Sequence, residues 1–189
     1  SRSFHCDGST TVGGEEITCL YAHGDMDIAD ALASSCNGVF AQLAVELGEE
    51  TMSRYVEKAG MLDSYSVSGI STAKGSYDLT GASTSQLGWS GVGQYNDLVN
   101  PCAVMVWMGA IGNGGKAAVP YLVLKTEGGL PLPSLPHLTR HTDTLIQKDT
   151  AQQLADMMAN NVVVNYGADR FPNMDVCAKS GTAEAGGGK

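Results

Sequence analysis

Residues 100–115 read NPCAVMVWMGAIGNGG, and this stretch constrains the fold more than any other. Asn100 is placed to cap a helix, Pro101 suits its first position, and the Gly/Asn run from Gly112 ends it. The body between them is apolar nearly all round, which predicts a helix buried on every side. Such a helix needs a layer of structure around it. A chain of 189 residues is long enough to supply that layer as one domain with a sizeable core. With 43% apolar residues and 24 glycines, the composition fits a globular chain with many tight turns.

The rest of the chain predicts which elements form that layer. The first 24 residues are turn-rich and hairpin-like. Asp27 then caps a short helix, IADALASS, with Ile28, Ala31 and Leu32 inward. VFAQLAVELG places Phe40, Leu43, Ala44 and Leu47 at helical spacing and stops at Gly48. TMSRYVEKAG does the same with Met52, Tyr55, Val56 and Ala59, ending at Gly60. Residues 63–90 are Ser/Thr/Gly-rich and read as a long surface loop. AAVPYLVLKTE suggests a strand or two, GGLPLPSLPHL a proline-rich connector, and 149–164 a helix with Leu154, Met157, Met158 and Val162 inward. DVCAKSGTAEA has strand character. Helices fill the middle and strands lie at the edges, which argues for α+β and against alternating β-α-β units.

Several function classes fall away. The net charge of −9 carries no basic run, so nucleic acid is not an expected partner. No apolar run reaches the 18 or so residues of a membrane span. GNGGK follows a helix where a phosphate loop would precede one, so its glycines read as a helix stop. The chain opens at Ser1 in SRSFHCDG, and the expectation is a single domain, 1–189, truncated at both ends.

Five cysteines stand at 6, 19, 36, 102 and 177. Cys6 and Cys19 flank a turn-rich excursion that a disulfide would close, and two plain thiols are the main alternative. His5 and His23 beside them raise the idea of a metal. The spacing lacks the Cys-x2-Cys knuckle of structural zinc sites, so the expectation is no metal and no cofactor. Cys36, Cys102 and Cys177 are expected to be mostly buried.

Two polar clusters interrupt this apolar plan: Ser34-Ser35-Cys36-Asn37 between two helices, and Lys179-Ser180-Gly181-Thr182 near the end. Each alone reads as a turn or a strand end. In this order they resemble the Ser-x-Asn and Lys-Ser/Thr-Gly signatures of penicillin-binding proteins and serine β-lactamases. The flanks HGDMDIADALASSCNGVFAQLAVELG and GWSGVGQYNDLVNPCAVMVWMGAIGNGG are similar to class B-type penicillin-binding proteins, and the resemblance covers nearly the whole chain. It implies the helical portion of a transpeptidase fold of that kind, with an incomplete antiparallel sheet. The family's Ser-x-x-Lys motif should precede Ser35 and does not. Ser71-Thr72-Ala73-Lys74 matches it only formally, being out of order and followed by Gly75, and Lys125-Thr126-Glu127-Gly128 is a decoy for the third motif.

The resemblance implies a peptidoglycan D,D-transpeptidase acting through a serine acyl-enzyme, with D-Ala-D-Ala stem peptides and β-lactams as ligands. It also implies a role in cell-wall cross-linking beside other wall-synthesis proteins. Ser35 would relay a proton to the leaving amine, and Asn37 would hold an ammonium and a substrate carbonyl. Lys179 would hold the substrate carboxylate with Ser180 and Thr182, while Gly181 admits close approach. Cys36 reads as buried filler. The intact protein would be membrane-anchored and extracytoplasmic, and the piece itself soluble and inactive for want of the nucleophile. A D,D-carboxypeptidase, a serine β-lactamase, a β-lactam sensor or a degenerate wall-binding module are the alternatives.

Overall fold

The computed structural model describes residues 2–128, 135–136 and 138–182. Contacts divide the chain into two compact units: Ser1–Tyr55, Tyr77–Asp97 and Gln153–Lys189 in the first, Val56–Ser76 and Leu98–Gln152 in the second.

In the first unit, β1 (Phe4–Cys6) pairs antiparallel with β4 (Gly24–Met26), and β2 (Ser9–Val12) with β3 (Glu15–Thr18). The expected hairpin is present. Its turn residues, Gly13 and Gly14, have φ of 59° and 86°, the backbone that a two-residue hairpin turn demands. α1 (Ile28–Ala33) starts at a capping box in which Asp27 and Asp30 each bond the other's backbone N–H. α2 (Asn37–Leu47) and α3 (Glu49–Lys58) follow. Phe4, Cys6, Met26, Ala31, Cys36 and Val39 form one core cluster, and Val12, Ile17 and Ala41 another. Ile28, Leu47 and Tyr55, expected inward, are exposed, because small residues such as Ala31, Ala41 and Ala44 occupy the buried faces.

The supposed loop over 63–90 is corrected by α4 (Thr84–Val92). Ser83 accepts from Gln86 N, and the Gln86 side chain accepts from Ser83 N. This Ser-x-x-Gln box was readable and outweighs the local Ser/Gly content. α4 lies close against α2: a Cβ at Gly88 would sit 3.1 Å from Ile17 and Val12, and one at Gly91 would meet Ala44 and the Phe40 carbonyl.

In the second unit, β5 (Ser66–Val67) and β6 (Ile70–Ser71) form a small hairpin, and β7 (Lys125–Thr126) pairs with β8 (Leu135–Pro136). AAVPYLVLKTE thus yields only β7 and a lone bridge, Ala118 to His141. Most of the proline-rich connector lies outside the described residues. α5 (Pro101–Gly112) has the cap expected of it: Asn100 Oδ1 accepts from Ala103 N at 2.9 Å. Its amide also donates to the carbonyls of Asp63 and Ala73 at 2.7 and 2.9 Å. Burial of α5 is one-sided. Ala103, Val106, Ala110 and Ile111 are inside, while Met105 and Met108 are 55% and 41% exposed. All-round apolarity specifies no direction, so it could not say which face is left open.

α6 (Lys148–Tyr166) is the long helix expected from Asp149, burying Ala151, Met158, Asn161 and Val162. No described helix is long and apolar enough to cross a membrane. Helices and short antiparallel strand pairs make the α+β arrangement anticipated from the sequence. The strand expected in DVCAKSGTAEA is not formed among its described residues, 175–182, which join no ladder. Residues 183–189 lie outside the description.

Candidate active site

The first polar cluster sits at the end of α1. Cys36 N donates to Ala31 O at 3.0 Å and Ser35 N to Leu32 O at 3.2 Å, the paired bonds of a Schellman motif. The motif needs a left-handed residue just past the cap, and here that residue is Ser35, with φ 53°. A side chain in that conformation is strained, and such strain concentrates at functional positions. The turn projects the exposed Ser35 outward and tucks Cys36 fully inside. Asn37 opens α2, and its amide donates to Thr18 O at 2.8 Å. One of its N–H groups is therefore occupied by the β3 backbone, leaving the other and Oδ1 for a ligand.

The second cluster is held by α6. Buried Asn161 donates to Ala178 O at 2.7 Å, and Ala178 N donates to Met158 O at 3.4 Å. One turn on, Asn165 donates to Ala33 O at 2.9 Å and to Asn161 Oδ1 at 2.8 Å. Two asparagines on one helix thereby fix the residues that lead into Ser35 and into Lys179. The Lys179 ammonium donates to Ser35 Oγ and, at 2.9 Å, to Ser180 O. Burial pushes the Lys179 pKa below the ordinary lysine value, because the charged form loses hydration. Gln94, just past α4, donates to Thr182 O at 3.3 Å. Ser180, Gly181 and Thr182 are exposed.

The structure thus brings Ser35 and Lys179 into direct contact, with Asn37 in the next helix turn. Sequence reasoning missed Asn161, Asn165 and Gln94. The signal for Asn161 was a polar residue on the same helical face as Met158 and Val162, since a buried amide requires partners.

The penicillin binding protein transpeptidase domain model matches residues 2–189. The chain belongs to that family. It is 24% identical over 165 residues to the peptidoglycan D,D-transpeptidase PbpA of Mycobacterium tuberculosis, a match spanning 85% of this chain and 33% of that protein. Among solved structures it resembles penicillin-binding protein A from M. tuberculosis in its ceftriaxone acyl-enzyme complex, with TM-score 0.87 and 20% identity over 98% of this chain and 43% of the other. The D,D-transpeptidase domain of a peptidoglycan glycosyltransferase from Eggerthella lenta matches with TM-score 0.83 and 25% identity, over 96% of this chain and 48% of that one. The chain spans about a third of its curated relatives and under half of these solved chains.

Within this transpeptidase-family chain the formal Ser-x-x-Lys is poorly built for nucleophilic work. Ser71 ends the two-residue strand β6, and both it and Lys74 are exposed. A serine and lysine that share a proton need the rigid one-turn spacing of a helix. A cavity of about 620 Å³ lies in the second unit beside Ser66, Val119, Lys125 and Arg140, and none of the residues singled out as catalytic lines it.

All five cysteines are unbridged. Cys6 and Cys19 approach as the sequence suggests, but their sulfurs are 3.8 Å apart where a disulfide requires about 2.05 Å. Both instead face a third thiol, Cys36, whose sulfur is 3.9 Å from that of Cys19. Burial pushes the Cys36 thiol up, to about 12. Burial also acts to raise Cys6, but the backbone N–H groups of Gly8 and His23, together with the His23 and Cys36 side chains, bring that thiol down to about 6. Cys102 is half-buried and Cys177 exposed, against the expectation that both are inside.

Proposed function

We propose that this chain is part of a penicillin-binding peptidoglycan D,D-transpeptidase. The observation that supports this most is the Lys179–Ser35 hydrogen bond, formed inside a chain matched end to end by the transpeptidase family. Lys179, Ser180 and Thr182 would bind the terminal carboxylate of a D-Ala-D-Ala stem, or that of a β-lactam, by charge and hydroxyl donors. The nucleophilic serine hydroxyl, supplied elsewhere in the intact protein, attacks the penultimate carbonyl and loses its proton. The C–N bond then breaks, Ser35 delivers a proton to the departing D-alanine nitrogen, and a second stem's amine later displaces the enzyme. Asn37 Oδ1 would steady the catalytic ammonium. Thr182 N–H would be one of two donors to the oxyanion. The relatives' structures as β-lactam acyl-enzymes support β-lactams as ligands of this one. The intact protein would work outside the cytoplasm, anchored to the membrane.

The chain alone would bind penicillin without a covalent bond. A fluorescent penicillin followed by a denaturing gel tests this: the intact protein should give a band and the 189-residue chain none. A band from the chain that is lost in Ser71→Ala would overturn the assignment of the nucleophile. Absence of a band from the intact protein would overturn the function.

A further inference from the structure

We propose that Cys6, Cys19, His23 and Cys36 form a structural zinc site of the Cys3His type. The four side chains come from β1, from the segment joining β3 to β4, and from the turn between α1 and α2. Their ligand atoms all lie within 4.8 Å of one another. A tetrahedral site with Zn–S bonds of about 2.3 Å has sulfur–sulfur edges of about 3.8 Å. The two measured here are 3.8 and 3.9 Å.

A second observation concerns His23. Its Nδ1 is buried with no hydrogen-bond partner, an arrangement that costs free energy unless something binds there. His23 belongs to the same ligand cluster as the three sulfurs. A Cys6–Cys19 disulfide would leave both Cys36 and His23 without a role. Gly8 N also donates to Cys6 Sγ at 3.4 Å, the kind of outer N–H contact that steadies a metal thiolate. Three thiols and one imidazole select a borderline-soft, tetrahedral divalent ion. Zn²⁺ held by three thiolates and one neutral imidazole would leave the site with one net negative charge.

The spacing Cys-x12-Cys-x3-His-x12-Cys has no knuckle, and this led the sequence reading away from a metal. Folding supplies the convergence instead, because the β1–β4 pairing carries Cys6 to the base of the segment that holds Cys19 and His23. The consequence reaches Ser35 and Asn37, and this clause rests on the proposed function: zinc on Cys36 would clamp the residue between them. The ion would position Ser35 and touch no substrate.

Purified chain, prepared under reducing conditions, should carry about one zinc by elemental analysis. Replacing zinc with Co²⁺ should give thiolate-to-cobalt charge transfer and the intense visible bands of a tetrahedral site. Cys6, Cys19 and Cys36 should resist alkylation until a chelator is added, while exposed Cys177 reacts at once. His23→Ala should weaken zinc retention by more than about 100-fold, beyond the loss usual for an outer partner. Folded chain that takes up neither metal from excess, or that shows the same alkylation with and without chelator, would overturn the site. So would a Cys6–Cys19 disulfide found by mass spectrometry in zinc-free chain that binds no zinc after reduction. Penicillin acylation enters none of these readouts, so the zinc site and the proposed activity fail separately.

Discussion

Lys179 donates to the hydroxyl of Ser35 although 144 positions separate them. The contact depends on two devices: the Schellman turn that turns Ser35 outward, and the α6 asparagines, of which Asn161 holds Ala178 before Lys179 and Asn165 holds Ala33 before the turn. The desolvated ammonium gains a partner, and the hydroxyl is oriented to move a proton. Both devices can be tested separately from the chemistry.

Ser35 occupies a left-handed conformation that glycine adopts without strain. Ser35→Gly and Ser35→Ala both remove the hydroxyl, and only the first relieves the backbone. Chemical denaturation should find Ser35→Gly more stable than Ser35→Ala by about 1 kcal/mol. Both should impair acylation of the intact protein by penicillin. Equal stabilities would show that the turn carries no strain.

Asn161→Ala should cost about 2 kcal/mol, since it leaves Ala178 O without its side-chain donor and takes one acceptor from Asn165 at a buried helix face. Asn165→Ala, which frees Ala33 O, should cost less because Asn165 is the more exposed of the two. In the intact protein both should slow acylation by letting Lys179 and Ser35 drift apart. A loss of stability with unchanged acylation would reduce the pair to a packing role.

Burial raises the Asp97 carboxyl from 3.8 to about 6, and its Oδ1 has no hydrogen-bond partner. An acid whose folded pKa is raised stabilises the fold while protonated, and that contribution fades as pH rises from about 4 to about 6. Asp97→Asn should therefore match the parent chain below pH 4 and exceed it above pH 6, by about 1 kcal/mol after allowance for solvent screening. Paired urea titrations across that range would expose a flat difference, which contradicts the buried charge.

How far the sequence anticipated the structure varied with how local the signal was. The Asp27 and Asn100 caps, the Gly13-Gly14 turn and the course of α2 and α6 follow from neighbouring residues, and they were legible. Ser35 and Lys179 were legible only as a motif pair in order, because nothing local says they meet. The Cys36 side chain was read as filler and Asn161 was not singled out, because the meaning of each depends on partners far along the chain: Cys19 and Ala178 respectively. Tyr55, Met105 and Met108 were misplaced because apolar periodicity marks a face without saying whether anything covers it.

The α2–α4 contact offers the last test. Gly91 lies where an added Cβ would meet Ala44 Cβ and sit 2.8 Å from the Phe40 carbonyl oxygen. Helix propensity alone favours Ala over Gly by about 1 kcal/mol. Here the obstacle is backbone, which cannot rotate aside, so the helices must separate and overpacking should outweigh propensity by about 1–3 kcal/mol. Gly109 in α5 is the internal control: its nearest neighbour for a Cβ is Ala117 at 3.4 Å, an ordinary contact. Gly109→Ala should raise the midpoint of thermal unfolding and Gly91→Ala should lower it. If both substitutions stabilise, α4 does not approach α2 as closely as its glycines allow.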